Sequence, residues 1–203
     1  MSGGIPPFDA IILSGGRSSR LGGVPKAGLI LDGETLLERT CAALARARRL
    51  TVVGPAPDDG AHHPLPGAPS FVREEPAFAG PAAAVVAGFR ASPQPRSPWY
   101  AVVACDMPRV GELLEILLAE AAGGADASLV AVDGGRHQPL AALYRTEDLA
   151  AAVDAVLSRG SADNLSMHSL LATVRSRPVP VPPGTTHDVD TWHDARALGV
   201  DVP

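Results

Sequence analysis

Short apolar runs alternate with helix-forming stretches along most of this 203-residue chain, and that alternation limits the available folds more than any other feature. Phe8 to Leu13 (FDAIIL) reads as a first strand, and Trp99 to Cys105 (WYAVVAC) is the clearest buried one. Leu50–Val53, Ser70–Arg73, Ala127–Val132 and Pro139–Tyr144 are further strands, and Arg175–Val181 is extended. Helical spacing of apolar residues falls in Glu34–Arg48, Pro81–Arg90, Val110–Ala122, Asp148–Leu157, Met167–Leu171 and Thr191–Leu198. Such an order pairs strands in parallel through right-handed crossovers. It predicts an α/β fold, a doubly wound, mostly parallel sheet with helices on both faces. No repeat or linker divides the chain, so residues 1–203 are expected to form one domain, with 1–7 a flexible N-terminus.

Composition narrows the function. An apolar fraction of 46% and a mean hydropathy of +0.13 are globular values. No apolar run reaches the roughly 18–20 residues that span a bilayer, so no membrane contact is expected. A net charge of −5 creates no general field for nucleic acid, and any anion site must be local. Cys41 and Cys105 lie far apart, without a CxxC pattern or histidines at metal spacing. This argues against zinc and against a disulfide framework, and it suits a reducing cytoplasm. The opening MSGGIPPF has no charged segment leading into an apolar one, so no signal peptide is expected. His62 and His63, in the Pro- and Gly-rich loop Ala56–Pro69, read as solvated.

One local anion site stands out. Leu13 to Leu29 (LSGGRSSRLGGVPKAGL) follows the first strand and combines glycines with Arg17, Arg20 and Lys26. Backbone N–H groups in a glycine-rich turn converge on phosphate oxygens, and the basic side chains add charge. The spacing matches neither GxxxxGK[ST] nor GxGxxG. The alternative is an exposed loop with incidental arginines. In doubly wound sheets ligands bind beyond the carboxyl ends of the strands, which brings Asp106 to the same edge. Asp106 is a candidate Mg²⁺ ligand, the alternative being a cap for the helix near Val110. Asp188 and Asp190 share a face if the chain there is extended, although Asp190 or Thr191 also suits an N-cap. Glu74-Glu75-Pro76 before Gly80-Pro81 forms another turn, and its helix N-terminus could face an anion.

In this order the pieces resemble a known family. Leu13-Ser14-Gly15-Gly16-Arg17-Ser18-Ser19-Arg20-Leu21-Gly22 with Lys26 is similar to the LAGGxSxRMGxDK signature of Rossmann-like nucleotidyltransferases. Within them the chain most resembles the molybdenum cofactor guanylyltransferases. Supporting stretches are Glu74-Glu75-Pro76 with Gly80-Pro81, Cys105-Asp106-Met107-Pro108, Gln138 to Arg145, and Asp188-Val189-Asp190-Thr191.

The resemblance implies transfer of GMP from Mg²⁺-bound GTP to the phosphate of a molybdopterin-type cofactor, with pyrophosphate released. By position, Leu13, Ser14, Gly15, Gly16, Lys26, Glu74 and Asp106 would bind the nucleotide. Arg20, Gly23, Gly80 and Asp188 would meet the acceptor, and Asp106 with Asp190 would hold Mg²⁺. Lys26, Arg20 and Asp106 would carry the catalysis. The resemblance also implies a cytoplasmic protein and allows transient contact with other cofactor-biosynthesis proteins. Four residues depart from the pattern: Ser14 for Ala, Leu21 for Met, Pro25 for the Asp before the lysine, and Glu74 for Asp, which lengthens its reach by one methylene. Proline removes a donor and a carboxylate and pushes Val24 toward extended geometry. Two other readings stay open: a sister enzyme using CTP or a sugar or alcohol phosphate, and a non-catalytic nucleotide-binding protein.

Overall fold

The first apolar run becomes the centre of the sheet. In the computed structural model, which describes residues 4–16, 18–56 and 65–201, β1 (Phe8–Leu13) is buried along its whole length. Continuous burial without alternation is what a strand covered on both faces requires. A short hairpin, β2 (Ile30–Leu31) and β3 (Glu34–Thr35), follows the glycine loop. Then come α1 (Leu36–Ala43), β4 (Leu50–Val53), β5 (Ser70–Val72), α2 (Pro81–Ala91) and β6 (Trp99–Ala104). The chain continues through α3 (Val110–Ala122), β7 (Ser128–Asp133), β8 (Arg136–Arg145), α4 (Thr146–Ser158), α5 (Met167–Leu170), β9 (Ser176–Pro180) and α6 (Trp192–Ala197).

Seven strands form one sheet in the order β5-β4-β1-β6-β8-β7-β9. Every pair is parallel except those made by β8, which runs antiparallel to both β6 and β7. The order reverses direction about β1, so the loops after β1 and β6 open side by side at the carboxyl edge. Leucines of α1 and α3 pack on one face with Phe8, Ala10 and Ile12. Residues of α2, α4 and α5 cover the other with Ile11 and Leu13. A third cluster, Leu21, Leu29, Leu36, Val189, Ala195 and Val200, binds the glycine loop to the C-terminal segment.

Two expectations change. The helix predicted over Glu34–Arg48 is shorter, because Glu34 and Thr35 pair with Leu31 and Ile30 across an Asp32-Gly33 turn. Thr35 then caps α1 in a capping box with Glu38. The strand predicted over Pro139–Tyr144 extends to Arg136–Arg145, because the Gly134-Gly135 turn makes it a hairpin with β7. That hairpin, entered without a crossover helix, is why β8 runs antiparallel. His62, His63, Arg17 and the first three residues of the expected N-terminal segment lie outside the described residues.

Candidate active site

A cleft of about 610 Å³ opens at the carboxyl edge between the glycine loop, the Glu74–Pro81 turn and the end of β6. Leu13, Ser14, Gly15, Gly16, Arg20, Gly23, Lys26, Glu74, Gly80, Asp106 and Asp190 all line it. Among the described residues given a binding, catalytic or metal role by sequence, Asp188 alone does not, yet it stands beside the others: one carboxylate oxygen each from Asp106, Asp188 and Asp190 lies within 4.8 Å of the rest. Three hard oxygen donors on that scale fit a small divalent cation such as Mg²⁺.

Lys26 joins the two halves of this cluster. Its Nζ donates to Asp106 Oδ2 at 2.6 Å and to Asp190 Oδ1 at 2.5 Å. Burial alone would lower the lysine pKa, but the two carboxylates more than reverse that and hold it above its ordinary value. Pro25 does not misdirect the side chain. Its φ of −61° suits the ring, and it leads into a single 3₁₀ turn over Lys26–Gly28. Arg20 Nη1 adds a bond of 3.2 Å to Asp190 Oδ2 on the open side. Asp188 has its carboxyl pushed above the usual range by partial burial and by the charges of Asp106 and Asp190.

The capping alternatives resolve separately. Asp106 caps no helix, since α3 begins after Arg109 without a side-chain cap. At the C-terminal segment Thr191 is the cap, in a capping box with Asp194, which leaves Asp190 to the cleft. Asp188 and Asp190 both bring a carboxylate to the cluster, while Val189 between them is wholly buried. Val189 N–H also donates to the carbonyl of Asp106 at 3.0 Å, tying the two acidic segments together. Neither thiol is a nucleophile candidate: both are buried, and burial pushes Cys41 up to about 12 and Cys105 upward too.

At the far end of the cleft, Glu74 lies across from Gly15, and its Oε1 accepts the Phe78 N–H at 3.1 Å. Gly80 takes φ +98° as the N-cap of α2, a conformation that favours glycine. Arg73, Phe78 and Leu140 line the cleft as well and were not singled out by sequence. Phe78 is 53% exposed, one of only two large apolar residues so exposed among those described. An aromatic residue between Pro76 and Gly80, in a turn rather than a periodic run, was the signal for it.

Gly54 was also missed, and its reason is contact. A Cβ there would overlap Ser14 Oγ and come within 3.0 Å of the Gly15 nitrogen, at a φ of +154°. The Gly54→Ala protein should therefore displace the loop and lose about 10–10² in kcat/KM, the scale of a misplacement of about 1 Å. Ser14→Ala in the same chain should recover part of the loss, because the backbone contacts persist. Pyrophosphate release would show this, and wild-type rates in Gly54→Ala would refute the tight approach.

A glycine-rich loop and a lysine-bridged carboxylate cluster at the ligand edge of such a sheet are the parts of a nucleotidyltransferase site. Residues 10–175 match the MobA-like NTP transferase domain, and the chain belongs to that family. A molybdenum cofactor guanylyltransferase of Pseudomonas putida is 35% identical over 142 residues, 69% of this chain and 71% of the relative. A probable molybdenum cofactor guanylyltransferase of Mycobacterium tuberculosis is 37% identical over 158 residues, covering 76% and 75%. Among solved structures, molybdopterin-guanine dinucleotide biosynthesis protein A of Archaeoglobus fulgidus has the same fold, with a TM-score of 0.68 at 19% identity over 94% of this chain and 96% of that one. So does 2-C-methyl-D-erythritol 4-phosphate cytidylyltransferase of Thermus thermophilus, at TM-score 0.65 and 22% identity over 95% and 96%. No helix among the described residues is long and apolar enough to cross a membrane.

Proposed function

We propose that this nucleotidyltransferase transfers GMP from GTP to the terminal phosphate of molybdopterin cofactor, forming the guanine dinucleotide and pyrophosphate. The reading rests above all on the Lys26 bridge between Asp106 and Asp190 beside the glycine loop, in a chain related to guanylyltransferases. An acceptor phosphate oxygen attacks the α-phosphorus in line as the bond to the bridging β-phosphate oxygen breaks, and pyrophosphate carries away the electron pair. Such chemistry needs positioning and charge neutralisation more than covalent help. The Ser14 N–H is held by the Val53 carbonyl at 2.9 Å, so the amides of Gly15 and Gly16, with Arg20 and the Lys26 ammonium, bind the phosphates. Glu74 accepts from guanine N1–H and N2–H₂, a donor pair that cytosine lacks. Arg20, Gly23, Gly80 and Asp188 line the acceptor's path. Asp106 and Asp190, with Asp188 in reach, would hold Mg²⁺, which when bound supplies charge neutralisation at the phosphate oxygens. A GTP-consuming reaction of this kind fits a cytoplasmic location.

A second reading, cytidylyl transfer, draws on the fold shared with a cytidylyltransferase. Calorimetric titration of GTP, CTP and ATP with Mg²⁺, followed by pyrophosphate release with molybdopterin, separates the two. GTP is expected to bind at least about tenfold more tightly than CTP, about 1.4 kcal/mol. A preference for CTP would overturn the guanine reading. Tight GTP binding without turnover would make the chain a non-catalytic nucleotide-binding protein.

A further inference from the structure

Asp133, the last residue of β7, is 8% exposed and lies outside the cleft, yet its carboxylate takes three hydrogen bonds from one short segment. Gly184 N–H donates to Oδ1 at 3.1 Å, while Thr186 N–H and the Thr186 hydroxyl both donate to Oδ2 at 3.0 Å. Those donors precede Asp188 by four and two residues. We propose that Asp133 is the positioning residue of the C-terminal acidic pair, holding the Pro182–Thr186 strap so that Asp188 and Asp190 meet Asp106.

The strap has few other fixed points. It leaves the sheet where Val181 N–H donates to the Val132 carbonyl at 3.1 Å. It rejoins the core at Val189, whose N–H reaches the Asp106 carbonyl. Between them, Thr185 and Thr186 are buried, and the bonds within the strap run locally, from Thr185 to Pro182 and from His187 to Gly184. Arg109 Nη1 adds one long contact, 3.4 Å, to the Pro183 carbonyl. Two prolines at 182 and 183 supply no N–H, so a sheet ladder cannot carry the strap onward. The fixed acceptor is thus the Asp133 carboxylate. An ionised carboxylate can accept all three donors at once, whereas an amide of the same shape offers a single acceptor oxygen and turns an NH₂ toward a donor. Donation from the Thr186 amide, then from Gly184 and the Thr186 hydroxyl with His187 nearby, outweighs burial and holds the carboxyl below the usual range. Partners that orient metal-ligating groups in this way commonly carry 10–100-fold of the metal affinity.

The inference rests on the reading that Asp106 and Asp190 hold a divalent cation, and the test separates the two. Mn²⁺ binding with GTP present is followed by water-proton relaxation for wild type, Asp190→Ala, Asp133→Asn and Thr186→Val, with circular dichroism to verify folding. Asp190→Ala should abolish the enhanced relaxation. Asp133→Asn should weaken Mn²⁺ about 10–100-fold, and Thr186→Val less. In turnover, Asp133→Asn should raise the metal concentration needed for half-maximal rate while kcat recovers at saturating Mg²⁺, which general destabilisation would not produce. Should Asp133→Asn fail to fold, Thr186→Val, which loses only one donor, carries the same comparison. Wild-type Mn²⁺ affinity in the folded Asp133→Asn or Thr186→Val protein, with binding lost in Asp190→Ala, would overturn the positioning role alone. Mn²⁺ binding that survives Asp190→Ala would overturn the metal reading, and the inference with it.

Discussion

Lys26→Met is expected to lower pyrophosphate release by about 10²–10³, the usual scale for removing one preorganised charge donor, while strengthening Mn²⁺ binding to the nucleotide-free protein. The opposite signs follow from where the ammonium stands. Nζ sits within 2.6 Å of carboxylate oxygens from both Asp106 and Asp190, inside the group of three that suits a cation. The lysine would thus compete with a metal for those oxygens. Were the carboxylates to hold a divalent cation, the ammonium would be free to face phosphate oxygens as a point charge. Methionine keeps the length and apolar stem but cannot compete, and of the two cations on the cluster it leaves only Arg20, on Asp190. Calorimetry with Mn²⁺ alone and then with Mg²⁺ and GTP reads both effects. Unchanged GTP affinity in the folded variant would remove Lys26 from the phosphate site.

Asp106→Ala should cost still more, at least about 10³ in turnover, since it removes a candidate metal ligand and one anchor of Lys26 together. The fold should survive. The Asp106 side chain caps no helix, and the bond that secures Val189 goes to the Asp106 backbone carbonyl, which alanine retains. A melting temperature within a few degrees of wild type, with turnover lost, is the expected pair of results. Near-wild-type turnover would exclude a role for Asp106 at the reaction centre.

How much of this was legible beforehand differs by residue. β1 and β6 were plain because both faces of each are covered, so burial shows as a continuous run of apolar residues, interrupted in β1 only by the buried Asp9. The β2–β3 hairpin was missed although Leu31-Asp32-Gly33-Glu34 carries a turn signal, because strands of two residues leave no periodicity to read. Gly54 and Asp133 were missed for another reason. Nothing near either in the chain marks it, since Gly54 is constrained by Ser14 and Asp133 by Thr186, 40 and 53 residues away.

The sequence by itself determined the alternating α/β order, the glycine-rich basic loop after the first strand, and the acidic residues that follow the strands. These are local matters of backbone preference, burial period and side-chain chemistry, and they are written in consecutive residues. Only the tertiary structure decided that Lys26 bridges Asp106 and Asp190, that Thr191 rather than Asp190 caps α6, and that β8 runs against its neighbours. The first depends on groups 80 and 164 residues apart meeting, the second on competition among nearby groups for one partner, and the third on pairing with β6 residues about 40 positions away. Packing of Leu21, Leu29 and Leu36 against Val189 and Ala195 settles those meetings, by closing the loop and the C-terminal segment over one edge of the sheet.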